Sequence, residues 1–275
     1  MIISIDGINA HHFQGLLEQT YKLRARVFRD RLGWEVDVTN GMETDVFDTL
    51  NPTTLVSVDD SGNVLGSMRI LQTTGPNMLA DVFSSILQGE PAPRSPQIWE
   101  ATRLCVDTER LSATGSARAR NSISYVTSEI MIAACEYAME AGVTDAVAVI
   151  DPLMNRVLKR SGNAPYDYLG APTPMGKVTA MAGLLDCSLE RTNRLRTRSD
   201  IRGDVFLSEA DAIAKFGDAV TPMKEPESVE ALRTYMQEQL QRADNPNELR
   251  AALRMLVELE EETKQSLSEN AATHS

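Results

Sequence analysis

The chain has 275 residues, is 42% hydrophobic and carries a formal net charge of -12, which suits one core, alone or with an appendage, and excludes fibrous, collagen-like and wholly disordered classes. The acidic balance without a long basic run argues against a nucleic-acid binder, and no run approaches the roughly 18 apolar residues that span a membrane. The chain start lacks signal-peptide features, so we expect a cytoplasmic protein, and the three cysteines show no metal-ligand spacing, so we expect no metal site.

The first 106 residues predict short strands separated by helices and one acidic loop. Residues 12–32 carry apolar side chains at three- and four-residue steps, which is typical of an amphipathic helix. The loop that follows, 34–51, is irregular and rich in carboxylates. A shorter helix is predicted over 79–88. Strands are predicted at 2–5, 53–58, 64–72 and 98–106.

The next hundred residues continue the alternation of helix and strand. A long amphipathic helix is predicted over 117–141, and a buried-type strand follows at 144–150. Asp151 and Pro152 then begin another helix, as N-cap and first-turn proline. A further strand is predicted at 176–187. A central sheet with helices on both faces follows, so the predicted fold class is α/β, a three-layer α/β/α sandwich.

Beyond residue 200 the composition changes, so we predict a core at 1–200 and an acidic helical extension at 201–275. The extension holds fifteen acidic and eight basic residues. Its helices are predicted at 208–216, 226–242 and 246–268. Leucines spaced along the last helix motivate the hypothesis that the extension mediates dimerisation or regulation; the sequence leaves the oligomeric state open.

Common catalytic motifs are missing from the sequence. It contains no GxSxG nucleophile elbow, no Walker A loop and no GxGxxG after a strand, and its three histidines lie near the two ends. What remains is charge in apolar surroundings: Arg24 lies on an apolar helix face, and Arg69 lies in an apolar strand. Because such groups are costly to bury unless they are paired, they indicate a buried polar site.

Glu100 and Arg103 belong to the same predicted strand, 98–106. Strict alternation would direct their side chains to opposite faces of the sheet. Both can serve one cleft only if a bulge or a splay intervenes.

Several segments, in order, resemble the LuxI-type autoinducer synthases, over roughly residues 1–190. The matching segments are Arg24-x3-Phe28-x5-Trp34, Gly41-Met42-Glu43-x-Asp45-x-Phe47-Asp48, Gly66-x2-Arg69-Ile70-Leu71, Thr74-x-Pro76-x-Met78-Leu79-x3-Phe83 and Trp99-Glu100-x2-Arg103. The chain departs from the family at Thr102-Arg103-Leu104, where Ser-Arg-Phe is frequent, and in the residues beyond 200.

The resemblance implies a fold similar to the GNAT N-acyltransferases, with a mixed central sheet splayed at a cleft. It also implies an acyl-homoserine-lactone synthase that makes a quorum-sensing signal. In that reaction an acyl group passes from acyl-carrier protein to the amine of S-adenosylmethionine, and lactonisation releases methylthioadenosine. S-adenosylmethionine is then a substrate, and no separate cofactor is expected.

The resemblance gives the charged residues roles that suit their chemistry. Asp45 and Asp48 are expected to hold the cationic end of S-adenosylmethionine. Its carboxylate suits a guanidinium, from Arg24, Arg69 or Arg103.

Aromatic and catalytic roles follow in the same way. Phe28 and Trp34 are expected to pack against the adenine or the sulfonium. Glu100 and Arg103 are the candidate catalytic residues, with Glu100 as the base, acting through a water. Backbone N–H groups of the strand 100–106 are candidate oxyanion donors.

Two further surfaces are expected. Met131 and Ala148 should line the acyl pocket, and Ala148 favours an unsubstituted acyl chain. The carrier protein is acidic, so its dock should be basic. Residues 150–200 hold eight Lys/Arg against five Asp/Glu. The docking candidates are Arg156, Lys159 and Arg160.

Two alternative functions stay open on the sequence. One is a GNAT acetyltransferase that uses coenzyme A, although Ser112 stands where its phosphate-binding loop, at 112–117, needs Gln or Arg. The other is a non-catalytic binding module of the same fold, which would not need Glu100.

Overall fold

The computed structural model describes residues 1–113 and 122–218. The chain divides into two units, Met1–Ala219 and Val220–Ser275, and the second lies outside the described residues. The helices predicted at 226–242 and 246–268 therefore stay predictions, as does the division at residue 200. Among the described helices, none has the length and apolar character needed to cross a membrane.

Nine strands and seven α-helices are assigned within the described residues. The strands are β1 (Ile2–Ile5), β2 (Val38–Thr39), β3 (Met42–Glu43), β4 (Thr53–Val58), β5 (Val64–Gln72), β6 (Ile98–Val106), β7 (Asp145–Ile150), β8 (Asp167–Met175) and β9 (Val178–Asp186). The helices are α1 (Gln14–Arg24), α2 (Met78–Asp81), α3 (Thr108–Ala113), α4 (Ile123–Glu140), α5 (Pro152–Ser161), α6 (Leu189–Ser199) and α7 (Glu209–Phe216). Short 3-10 turns lie at Ala10–His12, Val46–Leu50 and Ser84–Leu87.

A seven-stranded mixed sheet forms the middle layer, in the order β1-β4-β5-β6-β7-β9-β8. All neighbours are antiparallel except β6 and β7. Helices α1 and α2 pack on one face, and α4, α5 and α6 pack on the other. The predicted α/β/α sandwich is confirmed.

The parallel pair β6 and β7 separates after three residues. Ile98–Glu100 pair with Asp145–Val147, and no pairing continues beyond Glu100, although β6 extends to Val106. The edges of both strands then face a cavity instead of each other. The expected splay of the sheet is present at this point.

A bulge in β6 removes the conflict between Glu100 and Arg103. Thr102 pairs with Arg69 and Cys105 pairs with Ser67, so β6 has one residue more than β5 between these pairs. Arg103 has a φ of 55°, in the left-handed region, which marks it as the residue where the alternation is reset. Its side chain thereby reaches the face that Glu100 also occupies.

The predicted helix 12–32 changes type half-way. It is α-helical to Arg24 and continues as a π-helix over Ala25–Arg31, where the Leu32 N–H donates to the Val27 carbonyl. Such wide turns shift the side chains that follow and are frequent at functional sites. Here the wide turns direct Phe28 towards the splay.

Besides the short β2, β3 and α3, two longer elements were not predicted, and each of these two has a physical reason. β8 contains Pro172 and Pro174, which argue against a strand, but it is an edge strand, where proline is tolerated. α6 carries few apolar residues and so gives little periodic signal; it begins at the N-cap Ser188 and is held by packing on α4.

Side chains of α4 and the backbone of β6 pack closely against Gly66, so we predict that Gly66→Ala destabilises the fold. A Cβ there would lie 2.8 Å from the Cys105 carbonyl oxygen and 2.8 Å from Cδ1 of Ile130. We expect the free energy of unfolding to fall by about 1–3 kcal/mol, the cost of overpacking, measured by urea denaturation. Gly203→Ala, which meets no atom within 4 Å, is the matched control; equal midpoints for the two variants would contradict the close approach.

Candidate active site

Six charged side chains form a closed ring of ion pairs. They come from α1, from β5, from the bulge in β6 and from the loop that contains β3. In ring order they are Arg24, Glu43, Arg103, Asp45, Arg69 and Asp48. Each guanidinium bonds two carboxylates, and each carboxylate bonds two guanidiniums. We refer to these six residues as the ion-pair ring. With three charges of each sign, it is formally neutral.

Arg24 makes the most buried contacts of the ring. Its Nη1 and Nη2 donate to both oxygens of Asp48, at 2.8 and 2.9 Å, and its Nε donates to Oε2 of Glu43 at 2.5 Å. This bidentate geometry is the strongest that arginine and a carboxylate form. Burial would lower the pKa of Arg24, but Asp48 and Glu43 outweigh it and raise the pKa above its usual value. Arg24 is therefore a permanent cation.

Arg69 and Arg103 close the ring. Arg69 donates to both oxygens of Asp45, at 2.5 and 2.9 Å, and to Asp48 at 2.8 Å, while its Nε donates to the Thr102 hydroxyl. Nη2 of Arg103 donates to Oδ2 of Asp45 at 2.8 Å and to Oε1 of Glu43, also at 2.8 Å.

The short turn Val46–Leu50 fixes the two aspartates. Asp45 caps the turn by accepting the Phe47 N–H, and Asp48 accepts the Asp45 N–H in return, which is a capping box. Burial alone would raise the pKa of Asp48, but Arg24 and Arg69 lower it to about 2. Because this pKa lies below the unfolded value, the carboxylate stabilises the fold at neutral pH, and its contribution is lost as the pH falls towards 2.

One edge of the ion-pair ring reaches the surface. The side chains of Arg24, Arg69 and Glu43 are 1–2% exposed, whereas Arg103 is 12% and Asp45 is 20% exposed. These last two are bonded to each other, so a ligand meets one guanidinium and one carboxylate side by side.

Glu100 lies next to the ring and is completely buried. Its two carboxylate oxygens accept the backbone N–H groups of Met78 and Leu79, each at 2.7 Å. Burial raises the pKa of Glu100 to about 7, although these two hydrogen bonds act in the opposite direction. The Met78 sulfur contacts guanidinium nitrogens of Arg69 and Arg103, which joins Glu100 to the ring. The matching sequence segment contained Met78 and Leu79, but it did not reveal that their backbone N–H groups donate to Glu100.

The splay between β6 and β7 contains an apolar cavity of about 420 Å³. Met131 and Ala148, the two predicted acyl-pocket residues, both line it. Phe28 and Trp34 also line it; the ring of Phe28 lies 5.4 Å from the Arg103 guanidinium, and Trp34 packs edge-on against Phe83. The cavity therefore begins where the ion-pair ring ends.

The three docking candidates are exposed on α5. Arg156, Lys159 and Arg160 form no ion pair with a carboxylate in the described part of the chain, and other residues of the same helix line the cavity. Arg191, which was counted in the basic segment, cannot belong to such a surface, because it is buried against Asp186.

A family model described as autoinducer synthase matches residues 10–195. The chain belongs to the autoinducer synthase family. It is therefore an acyltransferase of the acyl-homoserine-lactone synthase class, as the sequence segments predicted. Within residues 1–113 and 122–218, no three His, Cys, Asp or Glu side chains are grouped to hold a metal ion.

Curated relatives of this synthase support the assignment. It is 35% identical over 185 residues to the acyl-homoserine-lactone synthase of Agrobacterium fabrum strain C58, covering 67% of this chain and 85% of the relative. It is also 35% identical over 164 residues to the acyl-homoserine-lactone synthase of Pseudomonas aeruginosa strain PAO1, covering 59% and 78%.

Solved structures agree on the fold. The synthase is similar to the AHL synthase LasI, with 29% identity, a TM-score of 0.61 and coverage of 72% of this chain and 94% of that one. It also matches the CoA-dependent acyl-homoserine lactone synthase BjaI, whose structure contains SAM and isopentyl-CoA, with 24% identity, a TM-score of 0.64 and coverage of 78% and 98%. The expected α/β architecture is thus shared with solved acyl-homoserine-lactone synthases; the roles of the individual site residues stay predictions.

We predict that Arg24→Met destabilises the protein strongly. The substitution leaves Glu43 and Asp48 buried with one arginine each, and removing one partner of buried ion pairs costs about 3–5 kcal/mol. Chemical denaturation should show this loss in the free energy of unfolding. Arg29→Met is the matched control, because its ion pair with Asp30 lies in solvent; a similar loss in both variants would argue against the ring as a source of stability.

Proposed function

We propose that this synthase transfers an acyl group from the phosphopantetheine thioester of an acyl-carrier protein to the amine of S-adenosylmethionine and then closes the lactone. The carrying observation is the direct contact between a polar edge, Arg103 with Asp45, and an apolar cavity that begins beside it. The two substrates have matching chemistry, because one is a zwitterionic sulfonium and the other is an apolar chain.

In this proposal the exposed edge of the ion-pair ring binds the methionine part of S-adenosylmethionine. Asp45 attracts the ammonium and the sulfonium, and Arg103 attracts the carboxylate. Phe28 and Trp34 stack on the remainder of the ligand. The buried Arg24, Arg69, Glu43 and Asp48 hold these groups in place, and their mutual contacts support a positioning role.

Glu100 accepts the proton that the attacking amine must lose. Both of its oxygens already accept backbone N–H groups, which supports transfer through a water molecule. Its pKa of about 7 suits a general base near neutral pH. The new N–C bond forms as the carbonyl π electrons move to the oxygen. The tetrahedral oxyanion then collapses, the C–S bond breaks, and the departing thiolate takes up the proton that Glu100 accepted.

The acyl chain occupies the cavity, with Met131 and Ala148 in its wall. Backbone N–H groups of β6 beyond Glu100 have no partner strand in β7, and they are candidates to bind the oxyanion. Position 148 itself offers no hydroxyl to a 3-oxo group, and the hydroxyl of Thr127, also in the wall, already donates to the Ile123 carbonyl. Both observations support an unsubstituted chain.

Lactonisation needs no protein acid. The carboxylate oxygen of the acylated substrate attacks its own γ-carbon, and the C–S bond breaks with its electron pair moving to the sulfonium, so neutral methylthioadenosine leaves. The contribution of the enzyme is to hold the folded conformer. The acidic carrier protein docks on Arg156, Lys159 and Arg160, whose exposure and lack of ion pairs among the described residues support this surface.

The experiment that tests this function supplies purified protein with S-adenosylmethionine and a panel of acyl-carrier and acyl-coenzyme A thioesters, with products identified by mass spectrometry. We expect an N-acyl-homoserine lactone and methylthioadenosine from acyl-carrier donors. Lactone from coenzyme A donors alone would overturn the donor assignment. Acyl transfer without methylthioadenosine would overturn the lactonisation.

We predict that Glu100→Gln lowers kcat by about 100-fold or more, the usual contribution of a general base. In the unmodified enzyme kcat/KM should rise with pH through an apparent pKa near 7, because the base must be deprotonated, and the variant should lose this limb. Steady-state kinetics from pH 5.5 to 9 measure both effects. Glu90→Gln, at an exposed position, is the control; an unchanged pH limb in Glu100→Gln would exclude Glu100 as the base.

We predict that Ala148→Phe shifts the donor preference to shorter chains. The larger side chain projects into an apolar cavity that has room for the acyl chain, so long donors lose contacts worth about 0.8 kcal/mol per displaced methylene. Competition between donors of different length, read by mass spectrometry, measures the shift. Ala141→Phe, at the exposed end of α4, should leave the product distribution unchanged; the same shift there would refute a specific role for the cavity.

A further inference from the structure

Arg31 has no assigned role, yet it lies at an end of the cavity. It is the last residue of the π-helix that follows α1, and it belongs to the cavity lining together with Thr108. Its Nη1 donates to the carbonyl oxygen of Val106 and to the hydroxyl of Thr108. The side chain is exposed, but these two contacts fix its guanidinium at the end of β6.

The opposite edge of this guanidinium is unused. Within residues 1–113 and 122–218, Nε and Nη2 of Arg31 form no hydrogen bond, and no carboxylate lies within ion-pair distance. The other arginines of the same segment are paired: Arg26 with Asp107 at 2.8 Å, and Arg29 with Asp30 at 2.6 Å. The Nε/Nη2 edge of Arg31 is therefore free to bind two oxygens of one anion.

The cavity contains one other described arginine, and it is not free in this way. Arg103 is committed to Glu43 and Asp45 in the ion-pair ring. An anionic group that enters with an apolar chain therefore meets Arg31 at the end of β6 that lies away from Glu100.

The distance along β6 identifies the kind of anion. Glu100 pairs with Leu71 and Val106 pairs with Gly66, which are five residues apart on β5, so the bulged strand β6 advances about 17 Å between Glu100 and Val106. In phosphopantetheine about 13 bonds separate the thioester sulfur from the phosphorus, and at roughly 1.2 Å per bond of extended chain this is about 16 Å. A donor whose thioester lies close to Glu100 and Arg103 thus brings its phosphate to the level of Val106.

We propose that Arg31 binds the phosphate at the end of the pantetheine arm of the acyl donor. This inference rests on the proposed function, because it assumes a pantetheine thioester as donor. The phosphate is common to the carrier-protein arm and to coenzyme A, so Arg31 recognises a group that both kinds of donor share.

A binding experiment without S-adenosylmethionine tests the proposal independently of turnover. The probes are octanoyl-phosphopantetheine and octanoyl-pantetheine, which differ only in the phosphate, and the dissociation constants are measured by isothermal titration calorimetry. We expect Arg31→Gln to weaken binding of the phosphorylated probe by about 10- to 100-fold, the range of a charge-assisted hydrogen bond, and to leave the other probe unchanged. Arg31→Lys, which keeps the charge but loses the bidentate edge, should fall between.

Arg29→Gln is the matched control on the same segment and should bind both probes like the unmodified protein. Equal weakening of both probes by Arg31→Gln would overturn the proposal in favour of a structural role for the contacts with Val106 and Thr108. An unchanged affinity for both probes would overturn it as well. Lactone formation is scored separately, so a missing product counts against the proposed function and leaves the phosphate discrimination readable.

Repeating the titration with octanoyl-coenzyme A and with octanoyl-carrier protein separates the two sources of the phosphate. We expect Arg31→Gln to weaken the binding of the donor that supports lactone formation. The proposal would be overturned if Arg31→Gln and the unmodified protein bound that donor with the same affinity.

Discussion

The closed ring of ion pairs is the constraint on which the rest of the site depends. Three guanidiniums and three carboxylates are taken out of water together, and isolated charges of this kind would be costly to bury. The closed alternation removes this problem, because each charge has two partners of opposite sign. The ring thereby joins α1, β5, β6 and the loop that contains β3. It also determines where the polar half of the cleft lies.

The bulge at Arg103 and the separation from β7 are both features of one strand, β6. The bulge allows one residue of β6 to complete the ring while Glu100 keeps its place on that face. Beyond Glu100 the strand loses its parallel partner, and an apolar cavity takes the place of the ladder. Polar recognition and apolar binding are thus neighbours because a single strand supports both.

The neutrality of the ring also bears on the proton chemistry. A site with an excess of arginines would lower the pKa of Glu100 and make it a weak base. In this site burial outweighs the lowering by the two backbone N–H groups and by Arg69 and Arg103, and the pKa of Glu100 rises to about 7. The same network that holds the ligand-binding edge therefore leaves the carboxylate able to accept a proton near neutral pH.

The order of the principal helices and strands, the family and the presence of a buried charged site could all be predicted from the sequence. Periodicity, capping residues and motif order are local properties of the chain, which is why they can be read without the structure. Even the capping box could have been read from Asp45-x-x-Asp48. β8 and α6 were not predicted. The prolines of β8 are compatible with a strand only because it lies at the edge of the sheet, and the polar helix α6 is stabilised by packing on α4. Three contacts are visible only in the folded protein: the six charges close into a ring, Met78 and Leu79 bind Glu100, and Arg31 contacts the end of β6. Each of these contacts joins residues distant in the chain, and no spacing in the sequence encodes the distance between them.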